Sequence, residues 1–347
     1  MFEDQTVFIV GAGASQEFGL PVGWKLLEEI RDNCQIHFRR NAPHTFANQK
    51  IYLQIMEKYE RDQVGLRSAM SAMVDIYNGV DTAGSIDEFI NRYSDDPIIA
   101  EVGKLQIAHA IIKAEANSNL IPQSGDEEHG VNWRNAEKTW IAPFARTLFD
   151  GIRDNEVNRI GDNITIICFN YDRCIEHYLE YAIQKAYRNV DRQQARKIVR
   201  NMKIIHPYGS LGNISQIAYG TPMDHVDLYH VTKNLITWSE SVEDDEMVSQ
   251  IHEAIWHARN IVFMGFAFAN QNMGLLSTAV NDDVPYFKNV YSTGFGLTND
   301  VEFKLRKKIA GIYSNDSIAQ KYHNRINVMY GMKCTEFFTK HLMNFTE

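Results

Sequence analysis

Residues Val7-Phe-Ile-Val-Gly11-Ala12-Gly13-Ala14-Ser15 constrain the fold more than any other stretch of this chain. An apolar, β-branched run passes straight into two glycines and then into helix-forming residues. A strand without polar alternation is buried on both faces, the condition of a central parallel strand covered by helices. Gly11 permits a tight turn, and Gly13 lets the backbone approach an anion closely. A helix starting there aims free N–H groups and its positive dipole end at the same place. The segment Gly11, Ala12, Gly13, Ala14, Ser15 therefore predicts a diphosphate loop, although a Gly-rich turn without ligand fits the motif alone equally well. The usual dinucleotide fingerprint is incomplete. Its third glycine would fall at Gln16, and the acidic residue expected about twenty positions on is missing from any strand. Asp32 lies near that spacing, on a helical stretch, so an ordinary nicotinamide dehydrogenase is disfavoured.

Four more apolar runs read as buried strands: Ile164–Phe169, Lys203–His206, Ile261–Phe266 and Val290–Gly294, after Thr6–Val10. Helical stretches such as Cys174–Val199 and Met247–Ala258 lie between them. The expected fold class is α/β, a Rossmann-like doubly wound parallel sheet with a helical insertion and C-terminal helices. One domain spans 1–347, with a Rossmann core over about 1–30 and 160–300. The insertion, about 31–160, shows helical periodicity at Tyr52–Tyr77, Ser85–Tyr93, Val102–Ala116 and Ala136–Ile152 and almost no strand signal. Within it, Asn117–Asn132 is polar with Gly and Pro and reads as an exposed loop. After Asn299 the chain reads helical to the end, 300–347. No internal repeat is evident.

Three further strand ends carry polar residues that a plain core would not choose. They are Asn170-Tyr171-Asp172, His206-Pro207-Tyr208-Gly209-Ser210 and Gly265-Phe266-Ala267-Phe268-Ala269-Asn270. In a doubly wound sheet such tips converge on one crevice. Taken singly, each has a plain explanation: Asn170 and Asp172 serve equally well as caps for the helix beginning near Arg173, His206 as a satisfied loop histidine, and Phe266 and Phe268 as core. Their joint occurrence with the anion loop points to a site.

Composition narrows the rest. Net charge is −9, the wrong sign for general affinity to nucleic acid. The four cysteines, Cys34, Cys168, Cys174 and Cys334, form no CxxC pair, which excludes a cysteine zinc ribbon. Scattered cysteines, an acidic N-terminus and the lack of a long apolar run place the expected protein in the cytoplasm, away from membranes. No histidine spacing predicts a metal site.

The ordered set GAGAS (Gly11–Ser15), FNYD (Phe169–Asp172), HPYGS (His206–Ser210) and GFAFANQN (Gly265–Asn272) resembles the sirtuin motifs. The resemblance covers about residues 5–300 and is nearer to the prokaryotic sirtuin-like NAD hydrolases of antiphage defence. Gly19-Leu20-Pro21, Ser85-Ile86-Asp87-Glu88-Phe89 and Thr293-Gly294-Phe295-Gly296-Leu297 are similar to further segments of that group. The missing zinc ribbon, and Glu17-Phe-Gly-Leu-Pro-Val-Gly in place of the deacetylase segment, set the chain apart from the deacetylases.

The resemblance implies an NAD⁺ glycohydrolase that cleaves the nicotinamide–ribose bond, with NAD⁺ as substrate and no metal. By the same resemblance Asn170 and His206 are catalytic, Asn170 beside the nicotinamide ribose and His206 as general base. Asp172 contacts the carboxamide, the Gly11–Ser15 loop holds the diphosphate, and Gly294, Phe295 and Gly296 pass near the adenosine end. Tyr208, Gly265, Phe266 and Asp87 complete the implied binding set; Asp87 serves equally well as a solvated helical acid. The resemblance further implies an antiphage effector that depletes NAD⁺, a homo-oligomer, and a partner in trans, a HerA-type ATPase or an Argonaute-like protein. Nucleic acid enters only indirectly. Two rival functions are a non-catalytic NAD⁺ or ADP-ribose sensor module and, more weakly, a protein deacylase.

Arg188, Arg192, Arg196, Lys197, Arg200 and Lys203 form a basic run against the single acid Asp191. It reads as a solvated helix face, with docking of nucleic acid or an acidic partner as the sharper alternative. The acidic run Glu243–Glu246 reads as a loop or a helix start.

Overall fold

The structure is a computed structural model that describes residues 1–39, 42–122, 130–278, 288–315 and 320–346. Its strands are β1 (Thr6–Val10), β2 (Ile36–Arg39), β3 (Ala42–Phe46), β4 (Ile164–Cys168), β5 (Ile204–Ile205), β6 (Asn260–Met264), β7 (Asn289–Gly294) and β8 (Ile326–Tyr330). Six of them form one parallel sheet in the order β5-β4-β1-β6-β7-β8, flanked by helices. From β1 the chain builds outward first to β4 and β5, then to the other side through β6, β7 and β8. This is the strand order of a dinucleotide-binding sheet, and its switch point lies at β1, between β4 and β6. Register keeps these three strands level: Thr6 faces Ile164 and Asn260, and Val10 faces Cys168 and Met264. The loops that follow all three therefore emerge side by side.

The α/β doubly wound expectation holds, with differences of detail. β8 lies where only helices were expected. Its residues INVMY alternate in burial along an edge strand, so the apolar run that marks an inner strand is absent. The β2–β3 hairpin likewise falls in a stretch expected to be helical. The stretch Cys174–Val199 breaks into helices Cys174–Ala186 and Arg192–Asn201, the second capped by Asp191, whose carboxylate accepts from Gln194 N at 2.7 Å. Of the loop expected at Asn117–Asn132, residues 123–129 lie outside the described residues.

By compactness the chain divides into two units. The first comprises Met1–Gly19, Asn119–Pro207 and Asp244–Glu347 and contains the sheet. Its aromatic core joins Phe2, Phe8 and Phe144, with Phe8 and Phe144 centroids 5.2 Å apart. Phe144 sits on helix Ile141–Phe149, a segment the sequence groups with the insertion. The second unit comprises Leu20–Ser118 and Tyr208–Glu243. It is largely helical and centres on Pro97–Ala116, a helix buried on most of its faces and started by Asp96 with Pro97 in the first turn. No helix among the described residues is long and apolar enough to cross a membrane.

Candidate active site

The loop after β1 and the loop after β6 are built against each other. Gly11 N donates to Met264 O and Gly13 N to Gly265 O, both at 2.9 Å. A Cβ on Gly13 would stand 2.8 Å from Gly265 Cα, so the glycine is required by this backbone contact as well as by any ligand. Ala14 N donates to Gly11 O at 2.9 Å. Three amides of the expected anion loop are thus engaged internally, with Ala12 outside these bonds. The helix that follows is a single turn, Ala12–Ser15, continuing as a 3-10 turn to Phe18 and ending at Gly19 with φ 91°. A helix this short contributes little dipole.

Asn170, just past β4, ties itself to that loop. Its Nδ2 donates to Gly11 O at 3.1 Å and to Ser15 Oγ at 2.8 Å. Because a carbonyl only accepts, these bonds fix which end of the amide is nitrogen. The other end, Oδ1, is buried and has no partner among the described residues. Asp172 takes the helix-capping task instead, with Oδ1 accepting from Cys174 N at 3.1 Å. Burial raises its carboxyl above the usual range, against the lowering effect of hydrogen bonds from Cys174 and Ser15.

His206 follows β5. Its Nδ1 lies 3.1 Å from the backbone oxygen of Asn170 and its Nε2 2.7 Å from Glu176 Oε1. Burial disfavours the imidazolium, but the charge of Glu176, with Cys168 adding to it, outweighs burial, and the His206 pKa is raised well above its ordinary value. Burial likewise works against the Glu176 carboxylate, yet His206 and Arg173 hold it below its ordinary pKa. Both ring nitrogens are therefore committed, which changes the starting condition for the base role expected of His206. Sequence reading missed Glu176, which sits in the first turn of helix Cys174–Ala186. Its i+4 spacing from Asp172 on a capped helix was the available signal, and nothing in the sequence connects it to a histidine thirty residues on.

The remaining residues of the implied set fall in different places. Gly265 has φ +59° and donates its N–H to Thr293 Oγ1 at 2.8 Å, joining the tips of β6 and β7. Phe266 packs with Phe169, Phe263 and Phe268 in a buried aromatic cluster, which accounts for it as core. Phe268 holds the left-handed region at φ 56°, and Lys308 Nζ donates to its carbonyl at 2.6 Å. Such strain in a non-glycine residue persists where its surroundings fix it. Gly294 ends β7 against Val328, and Phe295 beyond it is 62% exposed. Asp87 and Tyr208 belong to the second unit, where burial and then the Asp87 charge raise the Tyr208 phenol. Gly209 (φ +67°) follows because the Asn234 carbonyl stands 1.9 Å from where its Cβ would be.

The basic run is partly spent within the fold: Arg192 Nε and Arg196 Nε lie 3.1 and 3.0 Å from Glu180 Oε2. In the acidic run, Asp244 caps helix Asp245–His257 by accepting from Met247 N at 3.0 Å. Among the described residues, no group of three or more His, Cys, Asp or Glu is placed to hold a metal ion, and all four cysteines are buried and outside any disulfide.

Residues 164–305 match the family model of the SIR2-like domain. The matched span runs from β4 through β7 and carries Asn170, Asp172, Glu176, His206, Gly265 and Gly294. It supports a sirtuin-like family and, with it, an NAD-related function. A search of curated proteins finds no match.

Proposed function

We propose that the chain is an NAD⁺ glycohydrolase that releases nicotinamide and ADP-ribose. The observation that carries this reading is the tie between Asn170 and the first loop at the switch point. One side-chain amide bonds Gly11 O and Ser15 Oγ, its backbone oxygen meets His206, and its Oδ1 is left as a buried acceptor. Nicotinamide leaves the cationic pyridinium form as a neutral molecule, so the bond breaks with little acid assistance. What the protein must supply is orientation of the ribose, stabilisation of an oxocarbenium-like centre and a group to take a proton from water. In this reading Asn170 Oδ1 accepts from a ribose hydroxyl and Asp172 meets the carboxamide. The Gly11–Ser15 loop lies along the diphosphate, Phe295 lies at the adenosine end, and the His206–Glu176 pair receives the proton.

The test is NAD⁺ turnover by the purified protein, with chromatography of nicotinamide and ADP-ribose and with Asn170→Ala and His206→Ala alongside. Loss of each side chain is expected to lower turnover by about a hundredfold or more. Unchanged turnover in both variants rejects the assignment. The engaged amides of Gly11, Gly13 and Ala14 favour a second reading, a binding module for NAD⁺ or ADP-ribose. Tight binding without turnover, also in the presence of a partner, selects it.

An enzyme that empties the cell of NAD⁺ is toxic when always active. The proposal therefore includes a gate, either assembly of several copies or a HerA-type ATPase or Argonaute-like partner in trans, and a role in antiphage defence. Infection survival of cells carrying the wild-type or Asn170→Ala chain tests that role.

A further inference from the structure

Around His206 the proton acceptors can be counted. Nδ1 faces the Asn170 backbone oxygen, which only accepts, so Nδ1 carries a proton. Nε2 faces Glu176 Oε1 at 2.7 Å, and one proton is shared between them. Neither ring nitrogen then offers a lone pair to a substrate. Glu176 Oε2 does: it is buried and without a partner among the described residues, as is Asn170 Oδ1. Buried oxygens of this kind are normally satisfied by a donor, and a site that binds ribose and water supplies donors.

We propose that Glu176, through Oε2, accepts the proton of the attacking water, and that His206 is its positioning partner. The inference rests on the glycohydrolase reading above. In the step, the water oxygen forms a bond to the ribose anomeric carbon, and the carbon–nitrogen bond breaks with its electron pair passing to the pyridine nitrogen. One water proton moves to Oε2 and leaves later to solvent. The charged and titratable groups that surround the pair are Asp172 and Arg173 before the helix, Cys168 at the end of β4, and His206 itself. His206 and Arg173 offset the buried carboxylate, whose charge in turn adds to the raising of Asp172.

The experiment compares the native chain with Glu176→Gln, Glu176→Ala and His206→Ala in NAD⁺ cleavage, with and without sodium formate or imidazole. Glu176→Gln is expected to lower kcat about a hundredfold while KM stays within about threefold. Formate, a small carboxylate, restores turnover to Glu176→Ala, and imidazole restores little to His206→Ala. Glu176→Gln with near-native kcat, or rescue only by imidazole in His206→Ala, overturns the assignment and returns the base role to His206. Absence of cleavage by the native chain, also in the presence of a partner, rejects the glycohydrolase reading and the chemical role with it. The pairing itself is read separately by nitrogen NMR of the histidine side chains at neutral pH. His206 with both ring nitrogens protonated in the native chain, and one in Glu176→Gln, supports it, and a neutral His206 in the native chain overturns it.

Discussion

A Cβ placed on Gly265 would stand 2.0 Å from the backbone nitrogen of Ala14. The first and the last of the four motifs that mark the site are thus held together backbone to backbone, across the neighbouring strands β1 and β6. Gly265 also sits at φ +59°, a region costly for any other residue. Gly265→Ala is therefore expected to destabilise the first unit by about 3 kcal/mol or more. It should also abolish NAD⁺ binding, because the loop can relieve the clash only by moving. Thermal unfolding and calorimetric titration with NAD⁺ check both, and a variant with native stability and affinity contradicts the account.

Glu17 fastens the first motif to the C-terminal helix. Its carboxylate accepts from Thr335 N at 2.9 Å, from the Thr335 hydroxyl and from Trp140 N at 3.2 Å. Helix Cys334–His341 has no side-chain cap of its own, so Glu17 supplies one from a distant part of the chain. Glu17→Ala is expected to cost about 2 kcal/mol. Hydrogen exchange should rise first at residues 334–338, whereas uniform acceleration along the chain speaks against a local cap.

How much of this was legible follows from what each feature depends on. β1 and β6 were readable because a run buried on both faces leaves an apolar signature, and the switch-point motifs because each interrupts such a run with Gly, Asn or His. β8 was hidden by its edge position, where three of its five residues are only half-buried. The pairings that give the site its chemistry were not legible. Asn170 and Asp172 look alike as cap formers, yet only Asp172 caps, and Asn170 reaches Ser15 across 155 positions. Glu176 looks like any helical acid until the fold brings His206 to it.

The basic run shows the same limit. Arg192 and Arg196 converge on Glu180, whose side chain is 7% exposed. Glu180→Gln removes a buried charge that two cations share, and is expected to lower stability by about 2 kcal/mol. Arg196→Glu should be worse, since it sets two carboxylates together, while Lys197→Glu should be near neutral. Melting temperatures of the three variants check the order. Binding of DNA or an acidic partner that survives charge reversal at both Arg196 and Arg200 removes the docking alternative for this helix.

His109 gives the fold a predictable response to acid. It lies on helix Pro97–Ala116, 7% exposed, with Nε2 2.9 Å from Asn48 Nδ2. Burial, helped by Lys113 and Lys50, pushes its pKa down to about 4. An amide nitrogen only donates, so the bond requires Nε2 to be the unprotonated nitrogen and the ring to be neutral. The unfolded chain protonates this histidine near its ordinary value of about 6.5, so between about 6.5 and 4 the unfolded state binds more protons than the folded one. Stability from this site is therefore full above pH about 6.5 and is lost as pH falls toward 4, by something on the order of 3 kcal/mol. His177, pushed by burial to about 3, acts with the same sign in the first unit. His206 acts with the opposite sign, because its raised pKa stabilises the fold at low pH and loses that contribution as pH rises. His109→Gln keeps a side chain able to accept from Asn48 and removes the titration. Its melting temperature should fall less than the native value between pH 7 and pH 4.5, and parallel pH curves for the two proteins would contradict a neutral, buried His109.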